Sequence, residues 1–187
     1  MPREEQSYEN IGLSELPQTN HVAARNVPAK DVSYLENRGL APRTLGVTDY
    51  DMDAPLKAIR RMLLECNGLI SIAFRRSLIV QGASRFGTDL PPLVQQPLDN
   101  TWLTSPWSQI EGAMAYQLGL PILLFREKGV LPEGIFERGI VGLYMPEFNV
   151  SEADHYFDTL EWSEIMGKWE GYVRSVVEKK GNPPQLY

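Results

Sequence analysis

The most constraining feature of this 187-residue chain is the stretch TSPWSQIEGAMAYQLGLPILLFRE, residues 104–127. Ser105 is a good helix N-cap, and Pro106 stands where proline is favoured, at the first helical position. Apolar residues then recur at helical spacing, at Trp107, Ile110, Met114 and Leu118. Gly119 is placed to end the helix, and the apolar run 122–125 suits a buried parallel strand. The stretch therefore predicts a loop, a helix and a central strand in succession.

One acid, Glu111, lies on the predicted helix one turn after Trp107. Gly112 and Ala115 beside it carry almost no side chain, so this face of the helix has room for a ligand. A carboxylate on such a face is typical of a pocket floor. It is also typical of close helix packing. Glu111 itself could be solvated or ion-paired, because acids are usually exposed. The residues alone leave both interpretations open.

The rest of the chain alternates between strand and helix patterns. The further predicted strands are residues 21–27, 40–46, 69–74 and 140–144. The further predicted helices are residues 29–39, a helix that opens at Pro55 with Asp51 or Asp53 as its N-cap and ends at Asn67-Gly68, and a helix whose apolar stripe runs from Trp162 to Val176. Residues 77–104 form a long connection rich in glycine and proline, of a length that is usually functional or disordered. The alternation predicts an α/β fold, a single three-layer domain with a mostly parallel sheet flanked by helices.

Composition limits the classes of partner and site. We expect a polar N-terminal arm over residues 1–20, the α/β domain over residues 21–180 and a tail over residues 181–187. The net charge of −6 argues against nucleic acid as a partner. Cys66 is the single cysteine, which excludes an intramolecular disulfide and a cysteine-cluster metal site and fits a reducing compartment. No metal site is predicted.

No targeting or membrane-spanning signal is visible in the sequence. No apolar run approaches the ~20 residues that span a bilayer. The first residues lack the hydrophobic segment of a signal peptide. We therefore expect a soluble, cytoplasmic protein with no membrane partner. Its oligomeric state is open, and a homo-oligomer is compatible with the sequence.

Ligands of open α/β sheets bind at the carboxyl ends of the strands. Three loops are expected to meet there: one that ends in Arg75 and Arg76, one that leads into Ser105, and one that follows residues 122–125. Two consecutive arginines beyond a buried strand suit a phosphate group, although they are otherwise ordinary charges at a strand end. The sequence thus predicts a ligand site where these loops converge.

A family resemblance adds to this prediction. The pattern S-P-W-x-x-x-E-G of residues 105–112 resembles the glutamate helix of the nucleoside 2-deoxyribosyltransferase-like fold. It is also similar to the S-x-W-x-x-x-E pattern of TIR domains that cleave NAD. The order of the segments RGLAPRTLG, a helix and ECNGLISIAFRR matches the same bacterial families, and the resemblance covers residues 39–148. It implies a flavodoxin-like or TIR-like architecture of the deoxyribosyltransferase-like kind.

The resemblance also implies a chemistry. Glu111 would be the catalytic carboxylate of an enzyme that cleaves the N-glycosidic bond of a nucleotide or nucleoside, stabilising or attacking the oxocarbenium ion at C1′. NAD is the leading substrate, because the tryptophan pattern is closer to the TIR variant. Substrate contacts are assigned to Ser105, Trp107, Arg75, Arg76 and Ala115. Ser105 caps the helix in either case, and Trp107 is otherwise a packing residue.

Three alternatives stay open beside an NAD-hydrolase-like enzyme. They are a nucleoside deoxyribosyltransferase, a non-catalytic nucleotide-binding sensor, and a TIR-like interaction module whose helices mediate assembly. No cofactor is expected beyond NAD or a nucleotide as substrate, and the partner is a small-molecule nucleotide or nucleoside. The resemblance further implies a role in antiviral defence, since bacterial domains of this kind often serve in it.

Overall fold

The computed structural model describes residues 20–25, 29–87, 89, 94–142, 144–156 and 158–179. The predicted tail and the predicted arm, apart from Asn20, lie outside these residues. The strands are β1 (Asn20–Arg25), β2 (Leu40–Arg43), β3 (Leu69–Ala73), β4 (Ser77–Ile79), β5 (Ala83–Ser84), β6 (Gln96–Pro97), β7 (Thr101–Leu103), β8 (Ile122–Glu127) and β9 (Glu147–Phe148). The helices are α1 (Ala29–Asn37), α2 (Pro55–Glu65), α3 (Pro106–Gln117), α4 (Ala153–Tyr156) and α5 (Leu160–Glu178), with 3-10 turns at Gly134–Phe136 and Val150–Glu152. None of the helices within the described ranges has both the length and the apolarity to cross a bilayer.

Five strands form one parallel sheet in the order β2-β1-β3-β8-β9. Leu69 at the start of β3 stands between Ala23 of β1 and Ile122 of β8. The chain builds outward from β1 to β2 and then reverses direction at β3, so the switch point of the sheet lies between β1 and β3. With β8 and β9 counted as fourth and fifth, this is the 2-1-3-4-5 order of flavodoxin-like sheets. The predicted parallel sheet is confirmed.

Helices cover both faces of the sheet, which makes three layers. One face packs against α1 and α5, in a cluster that includes Val22, Ile70, Ile72, Phe125 and Trp169. The opposite face packs against α2, α3 and the turn Gly134–Phe136. All five residues of β3 are buried, because the strand is central and covered on both sides. The predicted three-layer α/β domain is confirmed.

The last helix follows its predicted stripe closely. Trp162, Trp169 and Val173 are buried in the core, and Trp169 Nε1 donates a hydrogen bond to the carbonyl oxygen of Pro121 at 3.1 Å. Tyr172 on the same stripe is 46% exposed. The apolar spacing alone does not distinguish packing of these rings on the domain from packing on a partner. The tryptophans pack on the domain, and Tyr172 stands at its surface.

The predicted N-cap of α2 is wrong. The helix begins at Pro55, so its N-cap is Ala54, which has no side chain to bind the free backbone amides. Asp51 and Asp53 instead form ion pairs with Arg61 on the second turn of the helix. Their carboxylates lie too far along the chain from the first turn to accept the capping bond, since a cap must directly precede the first helical residue.

The predicted strand over residues 140–144 is also wrong, in its described part. Residues 138–140 form a turn, and the edge strand β9 follows later, at Glu147–Phe148. The second strand, predicted to end at Gly46, ends at Arg43. The long connection over residues 77–104 contains two short antiparallel ladders, β4 with β7 and β5 with β6. These two ladders, and not the predicted N-terminal segment of residues 1–20, are called the arm below.

Candidate functional site

The described loops at the carboxyl edge of the sheet meet around the start of α3. Arg76 follows β3, and its backbone N–H donates to the carbonyl oxygen of Leu103 at 2.9 Å. Its guanidinium donates to Ser105 Oγ at 3.1 Å. The structure therefore brings together two of the predicted site residues, Arg76 and Ser105, at the edge where doubly wound sheets bind ligands.

Ser105 is the N-cap of α3, as predicted. Its backbone is extended, with φ −70° and ψ 131°, and its Oγ accepts a hydrogen bond from the backbone N–H of Trp107 at 3.3 Å. Pro106 occupies the first helical position, where its fixed φ is already helical. Gly119 follows the helix with φ +68°, a conformation that glycine adopts without steric cost. The helix therefore begins and ends where the sequence predicts.

The buried face of α3 differs from the predicted apolar stripe. The large residues Trp107, Met114 and Leu118 are only partly buried and pack along the flank of α2. The face that presses on the sheet consists of Ser108, Glu111, Gly112 and Ala115. Small residues let the helix approach the sheet closely. The large side chains of α3 therefore lie beside the sheet contact, next to α2.

Glu111 is 2% exposed, so its side chain does not point into open solvent. Ser108 and Ala115, three residues before it and four after it on the same face, are both fully buried. Removing a carboxylate from water is costly unless its surroundings compensate, so an acid in this position is an unusual feature of a helix. The structure thus places the predicted carboxylate inside the protein, on the helix face that the sequence identified.

Ser71 is a buried hydroxyl that the sequence analysis missed. Side chains alternate along β3, and its neighbours Leu69 and Ala73 pack on the face covered by α2 and α3, so Ser71 points to that face too. Its Oγ has no hydrogen-bond partner among the described residues. A single hydroxyl in the otherwise apolar run LISIA was the available signal for it.

A side-chain clamp on the outer flank of α3 was also missed. Gln109 Nε2 donates to the carbonyl oxygen of Glu133 at 3.0 Å, and its Oε1 accepts from the N–H of Ile135 at 2.9 Å. A Cβ at Gly112 would lie 2.6 Å from Ile135 Cδ1, so the glycine lets this turn lie against the helix. The clamp holds the flank of α3 against this turn. The partners are more than twenty residues apart, so local spacing gives no sign of the contact.

Arg75 has a different environment from Arg76. Its Nε donates to the carbonyl oxygen of Lys128 at 2.9 Å and lies 3.4 Å from the carboxylate of Glu127. The guanidinium also lies 5.9 Å from the ring centre of Trp102 on β7. These contacts join the end of β3 to the end of β8 and to the arm. Arg75 therefore supports the loops, while Arg76 reaches the start of α3.

The other two predicted contact residues pack in the protein. Trp107 is partly buried against the cluster of α2, and Ala115 is fully buried in the same cluster. Neither observation tests a contact with substrate. Across the described residues, no group of three or more His, Cys, Asp or Glu side chains is placed to hold a metal ion.

Comparisons with known proteins give a similarity to a solved structure. No protein-family model matches the chain, and no curated protein does. Among solved structures, the chain is similar to the CMP N-glycosidase BcmB of Clostridium botulinum, with a TM-score of 0.42 and 16% sequence identity over 75% of this chain and 98% of that one. A similarity at this level carries no functional conclusion, so the function must be argued from this chain's own residues.

Proposed function

We propose that this protein cleaves the N-glycosidic bond of a nucleotide or nucleoside, with Glu111 as the catalytic carboxylate. The observation that carries the proposal is the burial of Glu111, at 2% exposure, on the small-residue face of α3. The helix also starts as the S-P-W-x-x-x-E-G pattern requires, with Ser105 as its N-cap.

The chemistry of glycosidic cleavage explains why such a carboxylate is useful. As the bond from C1′ to the base nitrogen breaks, positive charge develops on C1′ and the ring oxygen. A carboxylate of fixed position can stabilise this charge or form a bond to C1′ that water later hydrolyses. Helix placement and the Gln109 clamp would hold the distance, and small misplacements cost large factors in rate.

The remaining site residues take supporting roles in this proposal. Arg76 and Ser105 would bind the phosphate or the ribose hydroxyls, because the guanidinium and the hydroxyl are already joined at the mouth of the site. Trp107 would offer its exposed part to a base. Arg75 would act through the loops that it holds, and Ala115 would keep the helix face free of bulk.

The activity can be tested directly on the full chain. We would incubate it with NAD, with nucleoside monophosphates and with deoxynucleosides, and measure released base by chromatography. NAD is the first choice and deoxyribosyl transfer to a second base is the enzymatic alternative. Glu111→Gln keeps the shape of the side chain and removes its charge, and we expect it to lower the rate by about 10²–10³-fold. Glu178→Gln, an exposed acid on α5, is the matched control and should leave the rate unchanged.

Three results would contradict the proposal. Full activity of Glu111→Gln would remove the carboxylate from the mechanism. Consumption of none of the compounds, combined with a rise in melting temperature on adding one of them, would identify a nucleotide sensor instead of an enzyme. No consumption and no stabilisation would favour the interaction module.

A further inference from the structure

The edge strand β9 covers only part of β8. It pairs with Arg126 and Glu127 at the carboxyl end of β8. The N–H of Leu69 donates to the carbonyl oxygen of Pro121, which therefore points toward β3, whereas the N–H of Arg126 donates outward to Pro146. Backbone groups alternate along a strand, so those of Ile122 and Leu124 point outward as well. Among the described residues, no strand lies beside them.

The two edges of the sheet therefore differ in their protection against pairing with a further strand. At the opposite edge, β2 contains Pro42, which lacks a backbone donor and blunts the strand against further pairing. The open part of β8 carries no such protection. Natural proteins rarely leave a pairing edge uncovered, so this part of β8 is expected to meet another segment.

A groove lies along the open edge of β8. One wall is the outer side of α5, and the other is formed by residues 141, 142 and 144–146. Apolar and aromatic side chains line it, among them Tyr144, Met145, Ile165, Trp169 and Tyr172. Tyr144 is 59% exposed, and Tyr172 on the opposite wall is half exposed, which is unusual for rings that line one groove. Covering these two tyrosine rings with a partner would remove apolar surface from water.

Charges on α5 indicate which partner fits. Glu164 and Lys168 are both exposed, lie one helical turn apart and line the groove. A face that binds a second copy of itself about a two-fold axis must be self-complementary. An axis that passes between these residues brings each acid opposite the other copy's base.

The positions of the residues of α5 alongside those of β8 agree with such an axis. Trp169 is level with Pro121 through its hydrogen bond, and the Trp162 ring packs against Phe125 with ring centres 5.3 Å apart, so α5 runs antiparallel to β8. The midpoint of Glu164 and Lys168 lies about 4.5 Å along the helix from residue 169, at about 1.5 Å per residue. At about 3.3 Å per strand residue, this is between one and two residues beyond Pro121. The charge pair and the open backbone of residues 122–124 thus share one centre.

We propose that two copies of this chain associate through the β8–α5 face, about a two-fold axis near Leu123. The β8 edges approach each other in antiparallel orientation, Glu164 of each copy meets Lys168 of the other, and Tyr172 is buried between them. An antiparallel edge is self-complementary, because each outward residue offers one N–H and one C=O. The second copy thus satisfies the open backbone, the aromatic rings and both charges.

Charge reversal on the full-length protein tests this directly by sedimentation over a broad concentration range. The wild type should form a dimer. Lys168→Glu or Glu164→Lys alone places like charges across the axis and should weaken association by at least about tenfold. The double variant that exchanges the two residues should dimerise like the wild type, since each acid again faces a base. Glu178→Lys, a charge reversal at the far end of α5, should leave the dimer unchanged.

Mixing gives a second measurement that does not depend on the wild type. The two single variants, each weak alone, should form a heterodimer when combined. A wild type that stays monomeric at every concentration would overturn the proposal. So would a dimer that the single reversals leave intact, or a folded double variant that fails to recover association. Circular dichroism of each variant separates loss of the interface from loss of the fold.

Discussion

At the residue scale, Gly68 shows how closely the helices approach the sheet. A Cβ there would lie 2.6 Å from Val173 Cγ2, 3.1 Å from Trp169 Cζ2 and 3.3 Å from the carbonyl oxygen of Pro121. We expect Gly68→Ala to lower the free energy of unfolding by about 1–3 kcal/mol, because two packed side chains and a backbone oxygen must give way.

Urea denaturation of Gly68→Ala against Gly167→Ala checks this expectation. Gly167 lies on the exposed side of α5, and a Cβ there meets nothing within 4 Å. Alanine at Gly167 should raise stability by about 0.5–1 kcal/mol, since glycine is costly inside a helix. Equal effects of the two substitutions would mean that the contacts at Gly68 do not limit the packing.

A second residue, Cys66, gives a prediction for pH. Burial raises the pKa of the Cys66 thiol from 9.0 to about 12 in the folded protein. Because the folded pKa lies above the unfolded one, the stability from this group is complete below pH 9 and falls as pH rises toward 12. The loss is about 1.4 kcal/mol per pH unit in that window.

Comparison with Cys66→Ala isolates this effect. The variant lacks the thiol, so its stability relative to the wild type should improve by about 1.4 kcal/mol between neutral pH and about pH 10. Parallel urea titrations at the two pH values measure this difference. An unchanged difference would mean that the thiol ionises in the folded protein as easily as in the unfolded chain.

At the scale of elements, α2 gives a test of helix capping. Ala54 has the extended backbone of an N-cap, with φ −57° and ψ 142°, but no side chain that accepts a hydrogen bond. Ala54→Ser should therefore stabilise the protein by about 0.5–1 kcal/mol. Asp53→Ala should lower stability by less than Ala54→Ser raises it, because the ion pair of Asp53 with Arg61 is exposed. Thermal unfolding of both variants shows which residue is the N-cap of α2. If Asp53→Ala lowered the melting temperature more than Ala54→Ser raised it, Asp53 would be the cap.

Elements whose signals are local were predictable from the sequence. The cap, first turn and end of α3 each depend on one residue, Ser105, Pro106 and Gly119, and all three are confirmed. The same rule was available at α2, where Pro55 at the first helical position fixes the cap at residue 54. Asp51 and Asp53 are of a type preferred at N-caps, but they stand three residues and one residue before Ala54.

Features that depend on distant contacts were not predictable. The apolar residues 140–144 favour a strand, but the place of the edge strand is decided by which segment reaches β8, and that is Glu147–Phe148. The clamp of Gln109 depends on a turn more than twenty residues away. Burial of Glu111 was within reach, since its small neighbours Gly112 and Ala115 signal close approach. Its contact with a sugar stays a prediction.

At the scale of the whole molecule, stability should be unevenly distributed. β3 is buried along its length and paired on both sides, whereas the arm consists of two-stranded ladders whose residues are exposed or only partly buried. Isolated two-stranded ladders are marginally stable in water. The arm is held at its base by Trp102, whose backbone pairs with Gly129 and Leu131.

Native-state hydrogen exchange in low denaturant should distinguish the opening free energy of β3 from that of the arm. The amides of Ile70 and Ile72 in β3 should exchange only through global unfolding, because opening the central strand separates both layers of helices. The paired amides of residues 77–79 should open at a free energy at least about 2 kcal/mol lower, and with little dependence on denaturant, because few apolar groups become exposed. The arm leaves the sheet beside Arg76 and returns at Ser105, so its opening would widen the mouth of the proposed site without disturbing Glu111. If the arm and β3 showed equal protection, the arm would be part of the core and the mouth of the site would be rigid.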